Sequence, residues 1–445
     1  MKNTGLLVAA IVLAALTGTL YWSNHHKPAE TSANSPVEPS PKILTLQPSE
    51  VTGLSIRKKD GVSLALAKNS AGQWQITAPR ILAADQDAVS SLLSSMSSLN
   101  SERLVEEKSS NPDQYGLTQP SIRVEITKKD KKGQELLLGD DTPTGNGTYA
   151  AVVGDPRAFT MASYNKNAFV KSVNDLRDKR LLPFDSDKVS SIELTAKKQT
   201  IAFGRSKDEW RIVRPKPLRA DRSQVEELLR NLHDAKMDLT GSEDEKKASA
   251  AFTSGTPFAT ARVTDVSGTQ ELQVRKNKDD FYAKSSAVAG VYKISSGAGT
   301  GLDKSIDDFR NKKLFDFGYA EPDKIELHDG SRGYFLTRSG SDWWSNGTKM
   351  DPSTVATLID KIRDLTASKF PETGFTTPVI ELTVNSDGGK RVEKVMFSQN
   401  AGKYAAKREN EPAVYELNAS SVSELQKSAA DLKPAPAPAP APKKK

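Results

Sequence analysis

The chain has 445 residues, and 63 Lys and Arg against 56 Asp and Glu give it a formal charge of +7. Hydrophobic residues make up 36% and charged residues 27%, which is typical of a globular protein with a packed core. At ~100 to 200 residues per domain, this length predicts two to four domains. The absence of cysteine excludes disulfides, thiolate metal sites and a cysteine nucleophile. Histidine occurs only four times.

Residues 4–22 carry no charged side chain and are mostly Leu, Val, Ala and Ile. A transmembrane helix needs ~20 such residues, and the pattern lacks a clear cleavage site, so we expect an uncleaved signal anchor. With Lys2 inside, the body would face the periplasm or the cell exterior from a single pass of the bacterial inner membrane. The predicted anchor residues are Leu6, Leu7, Ile11, Leu13, Leu16, Tyr21 and Trp22.

Two segments at the ends of the chain have a composition that does not support a core. Residues 23–42 are rich in Pro and Ser and are predicted to be a tether between membrane and body. Residues 433–445 alternate Pro and Ala before three lysines and are predicted to be a disordered tail with polyproline character. The lysines could reach a phosphate-rich surface or only keep the tail soluble.

Three tryptophans reveal an internal repeat. Trp74, Trp210 and Trp343 are 136 and 133 residues apart, and each follows segments of alternating apolar and polar residues that predict strands. A Trp at an equivalent position in every repeat is expected to be a core residue, although exposed tryptophans could also bind sugars. We therefore predict three repeats, over residues 43–182, 183–313 and 314–432.

An aspartate begins the predicted helix of each repeat. Asp85, Asp221 and Asp351 are each followed by apolar residues at offsets 4, 7, 8, 11 and 14. These offsets place the apolar side chains on one helical face, and the carboxylate can cap the first turn.

The helix is followed by a proline and an alternating segment, for example Ile122, Val124 and Ile126, and then by a predicted meander of four strands. Tyr149, Tyr282 and Tyr404 each precede a second aromatic residue by 10 or 11 positions, which predicts hairpins with paired aromatic side chains. The predicted fold class is α+β, with three tandem repeats of antiparallel sheet and one amphipathic helix each, behind the transmembrane helix.

A basic segment, residues 176–184 and again residues 309–317, recurs where one predicted repeat meets the next. Its charged residues are Arg177, Lys179 and Arg180 at the first boundary and Arg310, Lys312 and Lys313 at the second. They could pair with carboxylates of the adjoining repeat and fix its orientation, or they could present a cationic surface to an acidic partner. We favour the structural role, because the flanking Leu and Phe residues provide apolar surface that long basic side chains can cover.

The ensemble of motifs resembles a bacterial family catalogued as a domain of unknown function, family 4340. The resemblance rests on the N-terminal anchor, Trp-x-Ile followed by Pro, Ala-Asp before the helix, the segment 115–120 (YGLTQP) and the segment 176–182 (LRDKRLL). It implies a cell-envelope protein encoded beside ABC-type transporter components associated with gliding motility. No catalytic residue, cofactor or ligand is implied.

Other candidate sites have simpler explanations. His233 and His328 lack metal-ligand spacing, and residues 297–301 (GAGTG) lack the Lys-Ser/Thr of a phosphate loop and are expected to be a flexible loop. Residues 140–147 (DDTPTGNG) could offer oxygen ligands to calcium but also suit a hairpin turn. A carboxylate pair of the glycosidase type is defined in space and is not visible in sequence.

The sequence therefore predicts a non-enzymatic, membrane-anchored periplasmic accessory or scaffold protein, associated with an ABC-type transporter or a gliding-motility-like envelope assembly. Its expected partners are the membrane and a protein such as a transporter subunit, without nucleic acid, cofactor or identified small-molecule substrate. The alternative is a periplasmic glycan-binding or glycan-cleaving protein. Exposed aromatic residues and paired carboxylates in one cleft would favour that alternative.

Overall fold

The computed structural model describes residues 41–61, 63–130, 132–207, 209–240 and 245–436. The chain divides into two compact units, one extending to Asp178 and the other beginning at Lys179. The first contains one sheet, and the second contains two sheets around a single apolar core.

The first unit contains the first predicted repeat. Its strands are Val51–Lys58 (β1), Ser63–Lys68 (β2), Trp74–Ala78 (β3), Leu82–Ala83 (β4), Arg103–Glu106 (β5), Ile122–Lys128 (β6), Gly133–Asp141 (β7), Gly147–Val152 (β8) and Ala158–Ala162 (β9). Its helices are Gln86–Ser97 (α1), Ser163–Lys166 (α2) and Val173–Leu176 (α3), with 3₁₀ turns at Pro48–Glu50 and Pro112–Tyr115.

The second unit opens with the second repeat. Its strands are Ser191–Ala196 (β10), Gln199–Ser206 (β11), Glu209–Arg214 (β12), Leu218–Arg219 (β13), Thr256–Asp265 (β14), Gly268–Asn277 (β15), Asp280–Ser285 (β16) and Val291–Ile294 (β17). Its helices are Arg222–His233 (α4), Glu245–Ser254 (α5), Ser296–Thr300 (α6) and Ile306–Phe309 (α7), with a 3₁₀ turn at Ser186–Lys188.

The third repeat completes the second unit. Its strands are Lys324–Asp329 (β18), Arg332–Ser339 (β19), Asp342–Ser345 (β20), Thr348–Lys349 (β21), Ala367–Lys369 (β22), Pro378–Ser386 (β23), Arg391–Asn400 (β24), Lys403–Arg408 (β25) and Val414–Leu417 (β26). Its helices are Pro352–Arg363 (α8) and Ala419–Ala430 (α9).

Each repeat forms one antiparallel sheet, so three sheets fit three repeats. The strand orders are β4-β3-β2-β1-β6-β7-β8-β9-β5, β13-β12-β11-β10-β14-β15-β16-β17 and β21-β20-β19-β18-β23-β24-β25-β26-β22. The first strand of each repeat pairs directly with the first long strand after the helix, β1 with β6, β10 with β14 and β18 with β23, for example Leu54 with Ile126. Because alternate residues of both strands are apolar, this register places them together on the covered face.

The amphipathic helices have the capping and burial that the aspartate pattern predicts. Asp85, Asp221 and Asp351 each accept hydrogen bonds from two backbone N–H groups of the first turn. Leu93 is 2% exposed and Leu229 is 7% exposed, and both lie in the cores of their units. Together these contacts fix one helix on one face of each sheet.

The repeated tryptophans are core residues, as predicted. Trp74, Trp210 and Trp343 are 5–6% exposed. Ile122, Val124 and Ile126 are also buried, which confirms the alternating pattern of the strand after the helix. Residues 140–147 include the turn between β7 and β8, where Thr142 N–H donates to the carbonyl of Gly147 at 2.8 Å.

Two expectations about local structure are wrong. Tyr149 and Phe159 are on adjacent strands but do not oppose each other, because Phe159 pairs with Ala150 and Tyr149 pairs with Thr160. The second aromatic therefore lies in the core and the first on the opposite face.

The expected loop at residues 297–301 is largely the short helix α6, which Ser295 caps through the backbone N–H of Ala298. Gly299 is essential to its packing, since a Cβ there would lie 2.3 Å from the ring of Phe281. Gly299 thus permits close packing against the sheet, which the motif alone did not indicate.

The prediction of one amphipathic helix per repeat is wrong for the second and third repeats, which each have a further helix of ten or more residues, α5 and α9. Helix α9 buries Val422, Leu425 and Ala429. The short edge strands β4, β5, β13, β21 and β22 were also not predicted. α5 packs on the second sheet through a small apolar cluster that contains Ala248, Tyr282 and Val291. Its sequence has few large apolar residues, so the helical period is weak there.

The predicted transmembrane segment at residues 4–22, with all seven anchor residues, lies outside the described residues. Among the residues that are described, no helix has both the length and the apolar content to cross a bilayer.

Candidate functional site

Each repeat holds the segment that leaves it by the same backbone contacts. The N–H of the capping aspartate donates to a carbonyl of that segment, from Asp85 to Leu176 at 2.8 Å, from Asp221 to Phe309 at 2.7 Å and from Asp351 to Lys433 at 2.9 Å. The preceding residue forms an isolated β-bridge, as in Ala84 with Arg177, Ala220 with Arg310 and Met350 with Pro434. Residues 433–435, assigned from sequence to the tail, thus occupy in the third repeat the place that the basic segments occupy in the other two.

The segment that enters each repeat pairs with the residues after the helix. The hydrogen bonds run from Ile43 N–H to the carbonyl of Leu99 at 3.1 Å, from Leu181 to Ala235 at 2.9 Å and from Leu314 to Leu365 at 3.1 Å. The basic segment between the second and third repeats therefore leaves one sheet and enters the next with its backbone paired on both sides.

The predicted interface residues occupy different environments. Arg177 and Arg310 are 4% and 8% exposed, and the Arg310 guanidinium lies 3.6 Å from the centre of the Phe370 ring. Arg310 also pairs with Asp307 at 3.3 Å. Lys179 and Arg180 are half-buried, whereas Lys312 and Lys313 are exposed. Whether a partner binds these side chains stays a prediction.

A set of charged side chains lies where the second repeat meets the third. We call Arg219, Asp316, Glu393, Arg408 and Glu411 the junction cluster. Arg219 belongs to β13 of the second repeat and Asp316 to the basic segment, while the others lie on β24, on β25 and in the turn before β26. The sheets and the connecting backbone therefore bring these charges together from residues that are distant in sequence.

The two arginines bridge the carboxylates. Arg219 Nη1 lies 2.6 Å from Asp316 Oδ2, and Arg408 donates from Nη2 to Glu393 Oε1 at 3.0 Å and from Nε to Glu411 Oε1 at 2.8 Å. Each arginine also donates to a carbonyl of the basic segment, Arg219 to Lys313 and Arg408 to Leu314. Arg219 Nε is 3.4 Å from Glu411 Oε1 but has no hydrogen-bond partner, so that contact is an ion pair only.

Backbone and amide groups complete the carboxylate contacts. Asp316 N–H donates to both oxygens of Glu393, at 2.9 and 3.1 Å, and Asn311 Nδ2 donates to Asp316 Oδ1 at 3.0 Å. The Glu393 side chain is only 4% exposed. A buried carboxylate needs such partners, because leaving its charge uncompensated would cost several kcal/mol, about 3–5 by analogy with broken buried pairs.

Burial and neighbouring charges shift the pKa of Arg408 in opposite directions. Burial alone would lower the pKa of Arg408, but the carboxylates of Glu411, Asp316 and Glu393 raise it overall. Burial raises the pKa of Tyr415 to about 12, with a further contribution from Glu411, which accepts the phenol hydrogen bond at 2.8 Å. Arg408 therefore stays charged and Tyr415 stays neutral at physiological pH.

The junction cluster borders an open cleft of about 710 Å³, whose other lining residues include Trp210, Arg211 and Pro412. All three carboxylates of the cluster contact guanidinium, amide, phenol or backbone N–H groups. Because these contacts connect residues of both repeats, they are suited to holding the two repeats in a fixed orientation.

This cluster was not predicted from the sequence, although an alignment of the repeats contains a signal for it. The sheet registers match Glu393, Arg408 and Glu411 of the third repeat with Gln270, Ser285 and Val288 of the second. Because the equivalent positions of the second repeat are uncharged, the common fold of the repeats does not require these charges.

The third repeat also carries exposed aromatic residues. Phe335 of β19 and Trp344 of β20 are each 39% exposed, and the ring of His328 contacts Phe335 edge-on at a centroid distance of 5.2 Å. Trp344 pairs with Thr337, two residues beyond Phe335, so the two aromatics share the outer face of the sheet. We call Phe335, Trp344 and His328 the aromatic face.

Of the described residues, the other histidine is His233, whose Nδ1 lies 3.2 Å from Asp234 Oδ1. Within the described part of the chain, no group of three or more His, Asp or Glu residues could hold a metal ion.

Comparison with known protein families shows which family the chain belongs to. The model of the family described as "Domain of unknown function (DUF4340)" matches residues 74–211 and again residues 210–383. The chain belongs to this family. Its two consecutive matches begin at Trp74 and Trp210, in agreement with the internal repeat. No curated protein and no solved structure matches the chain.

Proposed function

We propose that this DUF4340 protein is a non-enzymatic accessory or scaffold protein. It would be anchored in the inner membrane by residues 4–22, with its body on the periplasmic or outer side, and would act with an ABC-type transporter or a gliding-motility-like assembly. The membrane and transporter parts of the proposal rest on the N-terminal sequence and on the family resemblance.

The observation that best supports a scaffold is the joint between the second and third repeats. One apolar core contains residues of both repeats, including Phe203 and Phe397, and the paired basic segment crosses between their sheets. The junction cluster adds buried ion pairs to that joint. The carboxylates of the cluster are thus engaged in contacts between the two repeats, which supports the scaffold.

Recovery of partners from membranes tests the proposal. The full chain, tagged after Lys445, would be crosslinked in bacterial cells, solubilised in detergent and captured. We expect an ABC-type transporter component to be recovered in a fixed ratio to the chain. Arg408→Met should lower that ratio by loosening the joint, whereas the exposed-site control Arg262→Met should not. Recovery of the chain alone after efficient crosslinking would contradict the proposal.

A glycan-binding or glycan-cleaving protein is the second candidate, and the aromatic face is the observation that favours it. Glu326, which pairs directly with Phe335 across the strands, is engaged in an ion pair with Lys324. Sedimentation with purified peptidoglycan decides between the candidates. Binding that is lost in Trp344→Ala, or release of soluble fragments, would support this second function over the scaffold.

A further inference from the structure

The aromatic face is a feature of the third repeat alone. By sheet register, Trp344 corresponds to Gln75 in the first repeat and Arg211 in the second, and Phe335 corresponds to Ala65 and Ala202. The position therefore does not require an aromatic residue for the fold. Two large rings that remain 39% exposed offer apolar surface for a ligand.

The described chain ends beside this face. Ala435 N–H donates to the carbonyl of Lys349 in edge strand β21 at 2.9 Å, and Lys349 pairs with Trp344 in the adjoining strand. Ala435 is thus two strand spacings from Trp344, or ~10 Å. Because β21 begins at Thr348, the segment that contains Ala435 can pair with this strand for only about two more residues.

The sequence that follows has the chemistry to bind aromatic rings. Residues 437–442 read Ala-Pro-Ala-Pro-Ala-Pro, and three lysines come next. Proline-rich segments dock in grooves lined by aromatic residues, because they lose little conformational entropy on binding. We propose that residues 437–442 bind the aromatic face of the same chain.

The reach of the segment agrees with this occupant. Six residues of a polyproline segment span ~19 Å. The segment that contains Ala435 lies beside β21, and it is three strand spacings, or ~14 Å, from β19, which carries Phe335. Beyond Phe335 the same face carries Glu326 and Glu381, which already pair with Lys324 and Lys394. The reach and the proline-rich sequence, and not charge, therefore argue for this occupant. In this arrangement the tail covers a surface that would otherwise be open to other ligands.

Quenching of Trp344 emission by acrylamide tests the proposal. The full chain in detergent and a chain ending at Pro436 would each be measured beside a Trp344→Phe counterpart, so that the difference reports one of the five tryptophans. We expect Trp344 to be quenched more strongly in the shortened chain. A free peptide of residues 437–445 should restore the protection.

Matched variants separate aromatic recognition from charge. Trp344→Ala should weaken binding of the peptide to the shortened chain by about three- to tenfold, the share of an aromatic contact. Arg211→Ala, at the equivalent position of the second repeat, should leave it unchanged. A peptide with Ser in place of each Pro but with all three lysines should bind more weakly than the native peptide.

Four results would overturn the proposal. The first is equal quenching of Trp344 in the full and shortened chains. The second is equal protection by the Ser peptide, which would assign binding to the lysines. The third is protection that rises with protein concentration, which would assign the face to a second copy. The fourth is protection by peptidoglycan fragments to the same extent in both chain lengths, which would assign it to a glycan.

Discussion

Arg408→Met removes the guanidinium that joins Glu393 and Glu411 to the basic segment while keeping most of the apolar stem. The Arg408 side chain is 13% exposed and that of Glu393 is 4% exposed, so the substitution leaves a buried carboxylate without its main counter-charge. Removing one partner of a buried pair costs about 3–5 kcal/mol. We expect the lower end of that range, because Glu393 keeps its two contacts with Asp316 N–H.

Two tryptophans report the loss separately in the two repeats. Trp210 lies in the second repeat and Trp343 in the third, and each can be made the sole emitter by replacing the other tryptophans with Phe. We expect their urea transitions to coincide in the parent chain and to separate in Arg408→Met, because the joint couples the repeats. A loss of about 3 kcal/mol corresponds to a Tm lower by ~6–12 °C for a unit of this size.

Matched variants make this reasoning refutable. Arg262→Met removes an arginine that is 51% exposed and contacts Glu193 and Glu271, and it should cost no more than ~1 kcal/mol. Adding Glu393→Met to Arg408→Met should recover much of the stability, since no buried charge then remains. Equal costs for Arg408→Met and Arg262→Met, with coincident transitions in both, would show that the cluster does not hold the repeats together.

Further predictions concern the repeated helices and one buried phenol. Asp221→Ala and Asp351→Ala should each lower the free energy of unfolding by about 0.5–2 kcal/mol in urea titrations, through loss of the helix cap. Leu93→Ala and Leu229→Ala should each cost about 2–5 kcal/mol in the same assay, and a cost below 1 kcal/mol for both would contradict their equivalent packing. Because burial raises the pKa of Tyr415 from 10.0 to about 12, its contribution is complete below pH 10 and is lost as the pH rises toward 12. Between those pH values the free energy of unfolding of the parent should fall by on the order of 2–3 kcal/mol more than that of Tyr415→Phe, as measured by denaturation at each pH.

The repeat and its local elements could be predicted because their signals lie close together in the sequence. Asp85 and the apolar stripe from Val89 to Leu99 fall within one helix, so periodicity and capping identify it. The tryptophan spacing likewise identifies a recurring unit. Both signals depend on residue type and short-range order alone.

The contacts between repeats were hidden because their partners are far apart in the sequence. Arg219 and Asp316 are 97 residues apart, and Arg219 belongs to a strand of only two residues. The basic segment was recognised as recurring, yet its charges gave no indication that its backbone pairs with the capping aspartate on one side and the end of the next helix on the other. Hydrogen bonds of the backbone leave no trace in residue type.

Hydrogen exchange of the linking segment tests the central claim most directly. In the second unit, Asp221 N–H donates to Phe309 and Leu314 N–H donates to Leu365, so both amides lie in the joint between repeats. If the two repeats form one scaffold body, both amides should exchange as slowly as the amides of the central strands β10 and β18. Arg408→Met should then increase the exchange rate of these two amides selectively. Rapid exchange of both amides in the parent chain, with slow exchange in those strands, would mean that the repeats move independently and would contradict the account.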